Sequence, residues 1–179
     1  MSGTILWDVD TQVDFVLPDG KLYVPGAEQV APAMRLLVEA ARAAGVVHVA
    51  SADDHELTDA EISEQPDFQT TYPPHCLRGT RGARKVDETE QEDPVPIGLE
   101  LLPDRYFRGR EFLILKKNFD VFTNPNTEPL LDALEPVAVE SIPYVVDEPL
   151  VHAPRVEVAH LVPQRPVDEL SRRVEANTP

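Results

Sequence analysis

The chain has 179 residues, 42% of them apolar and 27% charged, which suits one globular domain with a sizeable core rather than a disordered tract. Sixteen basic against thirty-two acidic residues leave a net charge of −16, which argues against nucleic acid or an anionic membrane as partner and fits a solvated surface. No apolar run approaches the roughly 20 residues that span a bilayer, no signal-peptide pattern opens the chain, and its single cysteine, Cys76, allows no internal disulfide. A cytoplasmic protein is the expectation.

In chain order, Thr4 to Val9 (TILWDV) reads as a buried strand that ends in acidic residues. Turn signals follow at Pro18-Asp19-Gly20 and Pro25-Gly26. Val30, Met34, Leu37, Val38 and Ala41 recur at helical spacing between Ala27 and Ala44, and Gly45 stands where a helix would stop. Val46 to Ala50 (VVHVA) is a second buried strand, which completes a right-handed βαβ unit with parallel strands. From Ser51 to Arg110 runs a long polar excursion of the kind that carries function in a compact domain. Phe112 to Leu115 is a third strand, and Thr127 to Leu134 a short helix beginning near Asn126. Strands at Ala138 to Val146 and Val156 to Val162 and a helix from Val167 to Ala176 complete the reading. The last part is atypical, with no glycine after Gly109 and no lysine after Lys117. The expected fold is α/β, a mainly parallel sheet with helices on both faces in a Rossmann-type three-layer arrangement, over a single domain of residues 1–179.

Ligands in open α/β sheets bind beyond the carboxyl ends of the strands. Here the first strand delivers Asp8, Asp10 and Asp14, the second Asp53 and His55, and the third Lys116 and Lys117. Asp53 and His55 form Asp-x-His, which places a carboxylate and an imidazole on one side of an extended segment. Such donors suit zinc, and also iron or manganese. His75 follows two prolines that stiffen the backbone and fix where its ring points. A carboxylate near a lysine ammonium can take a proton while the cation stabilises developing negative charge.

These segments resemble a known family. Val9-Asp10-Thr11-Gln12-Val13-Asp14-Phe15 is similar to the opening motif of the nicotinamidase/isochorismatase-like cysteine hydrolases. Ser51-Ala52-Asp53-Asp54-His55 resembles the metal motif of the nicotinamidase branch, and Pro73-Pro74-His75-Cys76-Leu77-Arg78-Gly79-Thr80-Arg81-Gly82-Ala83 resembles its Pro-Pro-His-Cys segment. Leu115-Lys116, followed by Phe119, Asp120 and Phe122, is similar to the strand that presents the family's lysine. The likeness runs from about residue 5 to residue 134, in order and at the right spacing; residues 135–179 diverge.

The resemblance implies an isochorismatase-like fold, with Asp10 as general base and Lys116 as its catalytic partner. It further implies one divalent metal, zinc first, on Asp53, His55 and His75. Its fourth ligand would be Glu64 or, at the spacing of histidine-bearing members, Glu61, unless water fills the position. The implied substrate is a small amide, nicotinamide above all, converted to nicotinate and ammonia, and relatives suggest self-association into a homo-oligomer. The family's nucleophile is a cysteine at the start of a helix after the strand that follows Leu134, and this chain has neither cysteine nor glycine there. Cys76, beside a metal-ligating position, reads as a small buried thiol. Three functions therefore stand open: a C–N hydrolase of small amides, a non-catalytic binding homologue or partner subunit, and a metal-dependent hydrolase in which metal-bound water attacks directly.

Overall fold

The structure, a computed structural model, describes residues 4–136 and the strand at 138–142. In order these form β1 (Thr4–Val9), α1 (Val13–Val16), α2 (Ala31–Ala44), β2 (Val47–Asp53), β3 (Val95–Ile97), β4 (Glu111–Lys116), α3 (Thr127–Leu134) and β5 (Ala138–Ile142). The five strands make one parallel sheet in the order β3-β4-β2-β1-β5. The chain steps from β1 to β2 on one side and later returns to place β5 on the other. The carboxyl end of β1 therefore lies at a topological switch point, where such sheets bind ligands.

Side-chain alternation sorts the core into two layers. Leu6 packs with Met34, Val38 and Ala41 of α2 on one face. Ile5, Trp7, Val49, Phe112 and Ile114 pack with Leu130 of α3 on the other. Helices thus cover both faces, as the sequence predicts. Helix α2 begins with Pro32 in its first turn, where the missing N–H costs nothing, and stops at Gly45, whose left-handed φ of 68° lets its N–H cap Arg42.

The structure departs from the sequence reading in a few places. Strand β2 runs three residues past Ala50, so Asp53 ends a strand instead of opening a loop. Strand β3 is too short to show periodicity and contains Pro96, which an edge strand tolerates. Asn126 makes no side-chain cap for α3; its amide instead holds Gly98 O and Glu100 O, each at 2.8 Å. The pieces expected beyond residue 142 lie outside the described residues. Among the described residues no helix is long and apolar enough to cross a membrane.

Candidate metal centre and its neighbouring ion pair

The strand ends of β1, β2 and β4 bring Asp10, Asp53 and Lys116 together. Asp53 and Lys116 sit side by side in the β2–β4 register, and Lys116 Nζ lies 2.5 Å from Asp53 Oδ1 and 3.0 Å from Asp10 Oδ2. Simple alternation would point Asp10 to the same face as Asp8. Its φ of 51°, which aspartate tolerates better than most residues, turns the carboxylate instead toward Ser51, whose Oγ donates to Oδ1 at 2.7 Å. The Lys116 side chain is 2% exposed and that of Asp10 23%. Asp10 is therefore the member of the pair that a ligand reaches.

Charge in this cluster is tightly linked. Burial opposes the Lys116 cation, but Asp10 and Asp53 outweigh it and raise the ammonium pKa well above the usual lysine range. Burial likewise opposes the Asp53 carboxylate, yet Lys116 and the two histidines hold its pKa far below normal. Asp10 goes the other way. Burial pushes its carboxyl up, Lys116 pulls it down, and the Asp53 charge adds an upward push that leaves it raised. A carboxylate with a raised pKa is a stronger base.

The second oxygen of Asp53 faces the histidines: Oδ2 lies 3.6 Å from His55 Nε2 and 3.4 Å from His75 Nε2. The three side chains are buried, and one donor atom from each falls within 4.8 Å of the others, a set that can hold a metal ion. Both rings are oriented from behind. His75 Nδ1 is 2.8 Å from Pro73 O, so the stiff proline segment sets that ring. His55 Nδ1 is 3.3 Å from Asp59 Oδ2. His55 Nε2 is a buried polar atom with no hydrogen-bond partner among the described residues. Such an orphan calls for a missing partner, and a divalent cation fits the carboxylate–imidazole donor set.

The expected fourth ligands do not join this group. One oxygen of Glu61 accepts the Phe119 N–H at 2.8 Å, and Glu64 stands exposed at the surface. Lys117 pairs with Asp59 at 2.9 Å. Asp8 turns away as well. It is buried with Lys85 at 2.7 Å and His48 at 3.6 Å.

Two side chains of the first motif build the walls. Gln12, fully buried, accepts the Asp53 N–H at 2.7 Å and donates to Asp53 O and Ala83 O, both at 2.8 Å, so it clamps the backbone of the central ligand. Asp14 accepts the Lys21 N–H and the Cys76 N–H, at 3.0 and 2.7 Å, which anchors the residue after His75. A Cβ at Gly82 would collide with the Asp14 carboxylate, so only glycine fits there. Gln12 stood in the motif, but its grip on a backbone 41 residues away is a tertiary fact. Cys76 is buried, and burial with the nearby Asp53, Asp14 and Asp10 charges pushes its thiol far above the usual range. A thiol held protonated is inert as a nucleophile.

The Isochorismatase domain profile matches residues 4–139, and the chain belongs to this hydrolase family. Nicotinamidase/pyrazinamidase from Mycobacterium tuberculosis (strain ATCC 25618 / H37Rv) is 37% identical over 76 residues, which cover 42% of this chain and 39% of that protein. The match thus spans well under two thirds of the relative. Among solved structures, N-carbamoylsarcosine amidase from Thermoplasma acidophilum superposes with a TM-score of 0.58 at 22% identity, over 79% of this chain and 67% of that one. Pyrazinamidase of Pyrococcus horikoshii in complex with zinc gives 0.57 at 21% identity, over 78% and 69%. At these identities the structural likeness establishes the fold.

Proposed function

We propose that this chain carries the metal centre and the proton-handling pair of a nicotinamidase-like hydrolase acting on the C–N bond of small amides, nicotinamide in particular. The observation that carries this is the Asp53 carboxylate, which presents one oxygen to Lys116 and the other to both imidazoles. One side chain thereby joins the metal centre to the ion pair. Asp53, His55 and His75 would hold the ion, zinc first, and neither Glu61 nor Glu64 is needed if the remaining position is open, as in catalytic zinc sites. When bound, the ion supplies a Lewis-acid anchor for the ring nitrogen of the substrate. Asp10, raised in pKa and partly exposed, would take a proton from a water that attacks the amide carbon and pass it to the nitrogen as the C–N bond breaks and ammonia leaves. Lys116 stays charged and stabilises the negative charge that develops on the amide.

Cys76 is not the attacking group, because its thiol is buried and kept protonated. That observation favours a second reading, in which the chain binds metal and amide without turning the amide over. Ammonia release from nicotinamide by purified, zinc-loaded protein separates the two. Under the first reading Asp10→Ala lowers turnover by about 10²–10⁴-fold, the usual contribution of a positioned acid–base group. Activity that survives that substitution sinks the assignment of Asp10. Calorimetric binding of nicotinamide with no ammonia released establishes the second reading. Self-association belongs to the same proposal: Leu36 and Leu101 are largely exposed, and sedimentation reads the subunit count.

A further inference from the structure

Asp59 lies in the loop after β2 and outside the ligand cluster. A single oxygen, Oδ2, accepts the Glu56 N–H at 2.8 Å and the Lys117 ammonium at 2.9 Å, and lies 3.3 Å from His55 Nδ1. Lys117 follows Lys116 directly, so this contact ties the metal loop to the end of β4. Two more ties run alongside it. Asp54 N–H donates to Lys116 O at 3.0 Å, and Phe119 N–H donates to Glu61 at 2.8 Å.

The two histidines are therefore oriented by unlike acceptors, a neutral carbonyl behind His75 and a carboxylate behind His55. An imidazole that ligates through one nitrogen donates its other N–H, and a carboxylate acceptor fixes the tautomer and makes the ligating nitrogen more basic. We propose that Asp59, held in place by Lys117, is a positioning residue for the metal centre, locking His55 with its proton on Nδ1 and Nε2 turned toward Asp53. Asp59 touches neither metal nor substrate and acts only through His55. The inference rests on the metal reading above.

Zinc affinity measured by chelator competition on the full chain tests it, with Asp59→Ala, Asp59→Asn and wild type side by side. Removing such an outer carboxylate weakens metal binding by roughly 10–100-fold. Asp59→Ala is expected near the upper figure and Asp59→Asn, which keeps an acceptor oxygen but no charge, near the lower. Long-range ¹⁵N correlation of the His55 ring supplies a readout that a purely structural role would leave alone. Zinc-loaded wild type shows a protonated Nδ1 with a slowly exchanging proton, and Asp59→Ala loses that slow exchange. If Asp59→Ala does not fold, the isosteric Asp59→Asn decides. Wild type that binds zinc, with Asp59→Asn within about twofold of it and an unchanged ring signal, overturns the role of Asp59 and leaves the metal site standing. Wild type that binds no zinc overturns both.

Discussion

Two clusters of buried charge flank the same strand, and they are built to different standards. Asp8 lies near the end of β1 and the site residue Asp10 just beyond it, yet they serve opposite sides of the sheet. Around Asp10, Ser51, Lys116, Asp53 and the histidines share hydrogen bonds and ion pairs, and the one buried atom of the group without a hydrogen bond among the described residues is His55 Nε2. Around Asp8, by contrast, both carboxylate oxygens, both His48 nitrogens and Lys85 Nζ lack a well-directed hydrogen bond among the described residues. The first cluster gathers three donor atoms for an incoming ion, one of them otherwise unpartnered among the described residues. The second neutralises charge without directed hydrogen bonds, which is enough for a structural pair.

Breaking the ion pairs exposes this difference most strongly. Lys116→Met leaves Asp10 and Asp53 buried together without their cation. Removing one partner of a buried pair costs about 3–5 kcal/mol, so urea unfolding in chelator should show a loss of that order. Lys85→Met leaves Asp8 in the same position and should cost a similar amount at most, because the Lys85 side chain is 9% exposed against 2% for Lys116. Replacing both partners with apolar residues then separates the clusters. Asp8→Leu with Lys85→Met is expected to be neutral or stabilising by about 1–4 kcal/mol while zinc affinity stays unchanged. The same change at Asp10 and Lys116 still leaves the buried Asp53 without its cation, so it should destabilise the protein as well as abolish any turnover. A double variant at Asp8 and Lys85 that loses zinc binding would show that the clusters are coupled.

The same contrast marks what could be read from the sequence. The parallel sheet and the helix ending at Gly45 follow from spacing and turn signals, whereas the gathering of Asp10, Asp53, His55, His75 and Lys116 was legible only where strand ends coincide with motifs that resemble a known family. In the sequence Asp8 and Asp10 fall together at the end of the first strand. The positive φ that separates them comes from the turn after β1, where Gln12 locks onto Asp53. The choice between Glu61 and Glu64 was equally out of reach. It depends on the path of a loop whose ties to Phe119 and Lys117 span nearly sixty positions, with no periodicity to announce them. Asp59 gave no signal for the same reason.

The smallest effect, and the most discriminating, is one of sign. Burial opposes ionisation of Asp8, but Lys85 and His48 outweigh it and hold the pKa below the usual carboxylate range. Its contribution to stability is therefore present above the unfolded value of about 3.9 and is lost as pH falls through the lower folded value. Asp10 has a raised pKa, so its contribution is present below about 3.9 and is lost as pH rises through the folded value. Unfolding free energies of Asp8→Asn and Asp10→Asn, measured in chelator from neutral to acid pH, should diverge accordingly. Asp8→Asn should fall furthest below wild type at neutral pH and close the gap in acid. Asp10→Asn should compare best with wild type at neutral pH and lose that advantage in acid. Two variants that move with the same sign would mean that Asp10 is held as Asp8 is, by its cation, and would remove the physical basis for a carboxylate poised to accept a proton.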